Sequence, residues 1–408
     1  MKQGGLSIMR PHRRVIGAGA ISAMLIIGLL PGAATASGPV PVATGLANPR
    51  GITIGSDGAL YVAESGRGGS ALISALIEGQ PAFACLGETG GVTRIDRNGQ
   101  RRIADLPSFA EAFDPDGPGL VEPTCPTTGS NAVGMAATGP TNVALSGRGT
   151  LAVTMGLGGD EDVRDAIGPT FGTLLRVLPN GKHSILADLV GFEEDNNPDG
   201  VVPDSNPYGS ALLPDGSRLV ADAGGNDLLQ IFPNGSIETV AVFPPRAPAP
   251  FVLPSCFPVA PPFLPPPGTP IAAQAVTTSV AIGPDGAYYV GLLTGFPFTR
   301  NLADVFRVDP VTHAVTNFTG GIELSYITGL DFGPDGSLYV VEFTQAPLLE
   351  AEVCGDPTPG AVWKISGGVK TKVADVPLPT DVAVAADGSV YVTVLSILPQ
   401  DGAVWKIQ

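Results

Sequence analysis

FGPDGSLYVVE, residues 332–342, is one of six variants of a single eleven-residue phrase. The others are IGSDGALYVAE from Ile54, LSGRGTLAVTM from Leu145, LLPDGSRLVAD from Leu212, IGPDGAYYVGL from Ile282 and VAADGSVYVTV from Val384. Each reads as an apolar approach, an Asp-Gly or Arg-Gly turn that tolerates positive φ, and a β-branched, aromatic run. That is a β-hairpin signature. A second hairpin follows downstream, as in GGVTRIDRNGQRRIADL from Gly90, GTLLRVLPNGKHSILADL from Gly172, DLLQIFPNGSIETVAVF from Asp227 and ADVFRVDPVTHAVTNF from Ala303. GAVWKI occurs verbatim at Gly360 and Gly402. Two hairpins make a four-stranded unit, and six units with 50 to 91 residues between turns indicate radial closure. The expected fold is all-β, a six-bladed β-propeller of four-stranded antiparallel blades.

The count also closes. The sixth unit ends at AVWKIQ, one strand short, while PVATGLANPRGI near the N-terminus parallels KVADVPLPTDV from Lys372. Val40 to Leu46 is therefore expected to complete the last blade from outside, so that no sheet edge stays open.

Residues 1–36 read as a cleaved secretory signal peptide: Arg10, Arg13 and Arg14, an apolar run from Val15 to Leu30, and the small-residue cleavage signal Ala34-Thr35-Ala36. The expected organisation is that segment followed by one propeller domain over 37–408. No second run of eighteen or more apolar residues follows. Export, to the periplasm or the extracellular space, puts Cys85, Cys125, Cys256 and Cys354 where disulfides persist. Four cysteines allow three pairings. Proximity in the inferred ring favours Cys85 with Cys125 and Cys256 with Cys354. Of the 22 basic residues four leave with the signal segment, so 18 face 38 acidic ones, a net charge of −20. That surplus disfavours nucleic acid and anionic membrane surfaces as partners. A monomer is expected.

The segments NPYGSALLPDGSRLVADAGGNDLLQIFPNG (206–235), GPTNVALSGRGTLAVTMGLGGD (139–160) and GAYYVGLLTGFPF (286–298) resemble the ScyD/ScyE family of secreted bacterial propellers. The resemblance covers essentially the whole mature chain. It implies the propeller fold and export, and it brings no catalytic motif that transfers residue by residue. A more distant similarity, in blade pattern alone, is to NHL-repeat and gluconolactonase-type propellers. The glutamate that metal-dependent lactonases carry ahead of the first inner strand has no counterpart here.

In an antiparallel blade the turns within the two hairpins share one face of the disc, and the connections between hairpins and between blades share the other. The hairpin turns are short (Asp57-Gly58, Asn98-Gly99, Asn180-Gly181, Asn234-Gly235, Asp335-Gly336). The long insertions, 65–90, 107–139, 191–205, 244–275 and 344–359, all fall on the opposite face and contain every cysteine. Long loops on a rigid scaffold are where binding concentrates. The expected partner on that face is a small molecule, glycan or protein that the sequence does not identify. The histidines are His12, in the signal segment, and His183 and His313 near short turns on the other face. That counts against a Ser-His-Asp triad or a histidine zinc site among the long loops.

Glu64, Asp222 and Glu342 end the second strands of units one, three and five, where the other three units carry apolar residues. With Asn142, Asn206 and Asp381 at the starts of inner strands they form a candidate set of oxygen ligands around the channel mouth. The alternative is that each carboxylate caps nearby backbone amides. EEDNNPDGVVPD, residues 193–204, contains D-x-N-x-D-G (Asp195, Asn197, Asp199, Gly200), an oxygen spacing that wraps Ca²⁺. Its twelfth position is Asn206 rather than glutamate, so an EF-hand is not supported, and a self-solvating loop is the alternative. Ca²⁺ is the candidate cofactor. Arg94, Arg176, Arg307, Lys364 and Lys406 recur at one place on the third strand and are expected to pair within the blade. The leading function is non-catalytic binding through the long-loop face. Its competitor is a calcium-assisted lactonase or hydrolase whose cation polarises a carbonyl.

Overall fold

The computed structural model describes residues 38–77, 80–112, 124–125, 136–146, 149–261, 264–354 and 358–408. The expected signal segment lies outside the described residues. Six antiparallel blades surround a central channel. Blade 1 is Pro49–Ile54, Leu60–Glu64, Gln80–Asp96 and Gly99–Glu111, from the channel outwards. Blade 2 is Pro140–Leu145, Leu151–Met155, Thr173–Val177 and His183–Asp188. Blade 3 is Pro207–Leu212, Arg218–Asp222, Asp227–Ile231 and Ile237–Val242. Thr277–Ile282, Tyr288–Leu292, Val305–Val308 and Val315–Asn317 form blade 4. Ile327–Phe332, Leu338–Glu342, Gly360–Ser366 and Val369–Val376 form blade 5. Blade 6 takes Val382–Val384, Val390–Val394 and Gly402–Lys406 from the C-terminal end, and its outer strand is Val40–Leu46. Val40 lies opposite Lys406 and Leu46 opposite Gly402, the closure expected from the repeat count.

The repeated phrase earns its place through its valine. Val62, Val153, Val220, Val290, Val340 and Val392 stand at the centres of the six second strands, and all are 0 % exposed. Each second strand is covered on both faces by neighbouring blades, so its apolar run is continuous rather than alternating. The resulting clusters cross blade boundaries: Ala43, Leu46 and Val404 of blade 6 pack with Ile52, Leu60 and Val62 of blade 1. Threonine hydroxyls add polar stitches. Thr141 donates to the Pro207 carbonyl at 2.8 Å, Thr278 to Ile327 at 2.6 Å and Thr380 to Pro49 at 3.0 Å, each from an even blade to the next odd one.

Three of the five recurrent basic residues pair within their blades, and Lys406 lies over the Tyr391 ring. Arg94 pairs with Asp57 at 2.7 Å, Arg307 with Asp285 at 2.8 Å and Lys364 with Asp335 at 2.7 Å. In each case the partner is the aspartate of that blade's own Asp-Gly turn. Lysine contact with the Asp335 carboxyl, together with the Ser337 amide, lowers its pKa to about 2.

Three segments depart from the expected loops. Residues 65–90 extend blade 1, because Ala71–Ile77 pairs with the first half of the long strand Gln80–Asp96. Three short helices, Glu161–Ile167, Leu189–Asn196 and Leu348–Cys354, ride on the long-loop face. The first two begin at aspartate caps, Asp160 and Asp188, whose carboxylates accept from Val163 and Gly191 amides. The proline-rich insertion folds over a satellite core in which Phe251 and Leu264 meet Leu349 of the third helix. Disulfides Cys85–Cys125 and Cys256–Cys354 tie these excursions down, with Cα atoms 5.4 and 5.7 Å apart.

Two outcomes follow from this packing. A chain beginning at Asn48 leaves the blade 6 edge unpaired and is expected to melt well below the mature chain and to aggregate; calorimetry and light scattering check this, and melting within about a degree or two as a monomer refutes closure. Val340→Ala removes fully buried methyl groups at a blade junction and is expected to lower unfolding free energy by about 1.5–3 kcal/mol, read from urea midpoints.

Candidate functional site

The six inner strands enclose a cavity of about 410 Å³. One tier of it alternates strictly around the ring: Gly51, Asn142, Gly209, Ser279, Gly329, Asp381. The glycines belong to odd blades because the backbone and side chain of the next even blade take their space. A Cβ on Gly51 would stand 2.5 Å from Asn142 Nδ2, and one on Gly329 would stand 2.5 Å from Asp381 Oδ1. Blade 1 therefore runs between two of the expected site residues. Asp381 Oδ2 accepts from the Ile52 amide at 2.9 Å, and Asn142 Oδ1 accepts from Ser210 Oγ at 3.0 Å.

The three strand-end carboxylates are not aimed together at this channel. Glu64 is 4 % exposed and accepts from the Ala47 amide at 2.7 Å and from Thr93 Oγ1 at 2.5 Å, with the Arg102 guanidinium 3.2 Å away. Asp222 accepts from Ser205 Oγ and the Asn206 amide, both at 2.6 Å. Glu342 accepts from the Ser325 amide at 3.1 Å, from Trp363 Nε1 at 2.8 Å and from Lys370 Nζ at 2.8 Å. Each clamps the backbone just before its own blade's inner strand. In even blades the equivalent residues, Met155, Leu292 and Val394, are fully buried apolar side chains. Asn206 also lies away from the channel, its Oδ1 accepting from the Leu157 amide at 3.2 Å.

The channel mouth on the long-loop face holds residues that the sequence reading passed over. Arg50 and Tyr208 occupy the position where the four other inner strands carry Thr141, Thr278, Thr328 and Thr380. Burial pushes the Tyr208 hydroxyl pKa up; the Arg50 guanidinium beside it works the other way, and Asp381 raises it further. Deeper in the channel, Asp331 stands where the other strands carry Thr53 and four alanines, Ala144, Ala211, Ala281 and Ala383. Burial raises Asp331 to about 6. It raises Asp381 to about 8 despite the amide donors Ile52 and Val382, with the Asp331 charge adding to the shift. Aligning the inner strands that lead into the six phrases exposes all three departures, so that signal was present in the sequence.

A second polar concentration lies between blades 2 and 3. Of the loop triad, Asp195 is exposed on its helix, Asn197 ends that helix in the left-handed conformation, and Asp199 accepts from the Val201 amide and Asn226 Nδ2, each at 2.8 Å. Asp199 instead meets carboxylates from elsewhere. Glu193 is raised to about 8 by burial and by the charges of Asp222, Asp199 and Asp204. Asp227 is raised well above the usual carboxylate range by burial and by Asp222, Glu193 and Asp199. Among the described residues no three His, Cys, Asp or Glu groups already stand at metal-coordinating spacing.

Fold and site together define a six-bladed β-propeller with a polar channel mouth on its long-loop face. No family model matches the sequence, and no curated protein matches it. Solved structures of similar architecture include regucalcin, a calcium-binding protein from Agrobacterium tumefaciens, at 11% identity, covering 91% of this chain and 93% of that one with a TM-score of 0.47. The PQQ-bound aldose sugar dehydrogenase of Streptomyces coelicolor shares 13% identity over 91% of this chain and 98% of its own, TM-score 0.47. A gluconolactonase from Xanthomonas campestris shares 14% over 66% and 85%, TM-score 0.40. At such distances the likeness concerns fold alone, and no argument about activity rests on it.

The raised Asp381 pKa makes stability fall as pH rises. Its folded-state pKa of about 8 lies above the ordinary 3.8, so the folded chain holds a proton that the unfolded chain releases. The stabilising proton is present below about pH 4 in both states and is lost as pH passes through about 8. Between pH 5 and pH 8 the wild type is expected to lose at least about 1 kcal/mol more unfolding free energy than Asp381→Asn, measured by urea titration. Equal losses in the two proteins would reject a shifted Asp381.

Proposed function

We propose that the protein is a secreted, non-catalytic binding propeller of the ScyD/ScyE kind, which takes a small, oxygen-rich molecule or the end of a glycan at the long-loop mouth of its channel. The observation that carries this reading is the gathering of Arg50, Tyr208, Asn142 and Asp381, from blades 1, 3, 2 and 6, about the end of the channel that bears every long connection. Guanidinium and phenol donate to ligand oxygens, while carboxyl and amide oxygens accept from hydroxyls. The rigid ring holds these groups without ordering cost, which is what a preformed small-molecule site needs. Export is supported by the signal-like leader and by two disulfides. The surplus of acidic residues supports a partner other than nucleic acid or an anionic membrane.

The hydrolase alternative of the gluconolactonase type draws less support. Its cation would need Glu64, Asp222 and Glu342, whose oxygens already accept from backbone amides and neighbouring side chains. Thermal-shift screening of monosaccharides, hydroxy acids and short glycans tests the binding reading. A hit should weaken about tenfold or more in Tyr208→Phe and in Arg50→Ala, the loss expected for one hydrogen bond involving a charged or buried group. Hydrolysis of simple lactones that requires Ca²⁺ and disappears in Asp381→Asn would overturn it in favour of the enzyme.

A further inference from the structure

Asp227 begins the third strand of blade 3, is 0 % exposed, and neither of its carboxylate oxygens has a hydrogen-bond partner among the described residues. This is unusual for a buried carboxylate, which costs several kcal/mol in a dry interior unless paired. The acids Asp57, Asp285 and Asp335 on the opposite face all have a basic partner, and Asp222 next to Asp227 in the ladder has four donors. Facing Asp227 from the helix Leu189–Asn196 is Glu193, 3 % exposed, with Oε1 also unpartnered. The two converge on one spot. A Cβ on Gly225 would lie 3.0 Å from Glu193 Oε2 and 3.6 Å from Asp227 Cγ, so a side chain at Gly225 would fill the gap between helix and strand. Asn197 Oδ1 at the end of the same helix is buried without a partner, and Asp199 Oδ2 reaches Asn226, the residue before Asp227. Among the described residues no lysine, arginine or histidine forms an ion pair with Glu193, Asp199, Asp222 or Asp227.

From the unpartnered, fully buried oxygens of Asp227 and Glu193, we propose a hard divalent cation site of the Ca²⁺ class between blades 2 and 3, ligated by Glu193, Asp199 and Asp227 with Asn197 Oδ1. Ca²⁺ takes six to eight oxygens at about 2.3–2.6 Å in flexible geometry, and three carboxylates with an amide oxygen suit it better than the softer, nitrogen- and sulfur-seeking metals. The carboxylates draw in around the ion, so the spacing tightens on binding. The ion would fasten the helix that links blades 2 and 3 onto the strand it covers. This site is separate from the channel mouth, and it differs from the triad suggested by the loop motif, since Asp195 faces solvent.

Melting of the full mature chain in about 1 mM CaCl₂ and in excess EGTA tests the proposal. The wild type is expected to melt at least about 3 °C higher with Ca²⁺. Asp227→Asn and Glu193→Gln should each lose most of that response, and in EGTA each should melt no lower than wild type, because the isostere replaces a buried carboxyl group that has an unpartnered oxygen. Asp195→Asn should keep the full response. Absence of any Ca²⁺ response in the wild type, or its survival in both cluster variants, would overturn the site. Should both variants fail to fold, calorimetric titration of the chelator-stripped wild type with CaCl₂ decides: heat of saturable binding supports the site, and none overturns it.

Discussion

The burial of each blade's second strand between two neighbouring blades is the contact on which everything else in this molecule rests. Six valines, Val62, Val153, Val220, Val290, Val340 and Val392, lie wholly out of solvent at the centres of those strands. None of them can be buried by its own blade alone. A single blade is a small sheet with two apolar faces, and it becomes stable when the ring supplies both covers. Closure is therefore an energetic requirement, and it explains why Val40–Leu46 crosses from the start of the chain to pair with Gly402–Lys406.

The ring is built on a two-blade period. Even blades send threonine hydroxyls to the next odd blade and stand a polar channel residue against the preceding odd blade, whose glycine makes room. Odd blades end their second strand with a carboxylate that holds the backbone leading into the inner strand, where even blades bury an apolar side chain. Architecture and channel chemistry are thus coupled. The glycines that let blades approach also leave Asn142 and Asp381 standing in the cavity, and departures from the period, Arg50, Tyr208 and Asp331, are where the channel acquires its individual character.

A chain with so many more acids than bases must dispose of buried carboxylates in several ways, and the environment of each sets which. Where backbone amides and a basic side chain both reach the group, as for Glu64 and Glu342, they satisfy its oxygens. Where the group is deeply buried and another acid stands near, burial wins over two amide donors and the group holds a proton towards neutral pH, as for Asp381. Where a buried acid finds no donor at all, as Asp227 does among the described residues, the proposed cation would supply the missing partner.

How much was legible in the sequence follows from the range of each signal. Hairpin turns, β-branched runs and their repetition are local, so blade number, strand order, closure by Val40–Leu46 and the sidedness of the loops could all be read from the amino acids. The carboxylate at the end of units one, three and five was visible too, but its task was not, because the amide it holds comes from the segment on the far side of its own hairpin. The D-x-N-x-D-G motif lies in the loop that carries the proposed cation site, yet the helix Leu189–Asn196 leaves Asp195 in solvent and buries Glu193. Asp227, 28 residues after Asp199, meets that loop through strand pairing and helix docking alone. Periodicity specifies which strands stack. Which charged groups then share a dry space depends on contacts between residues far apart in the chain, and those exist only once the ring has closed.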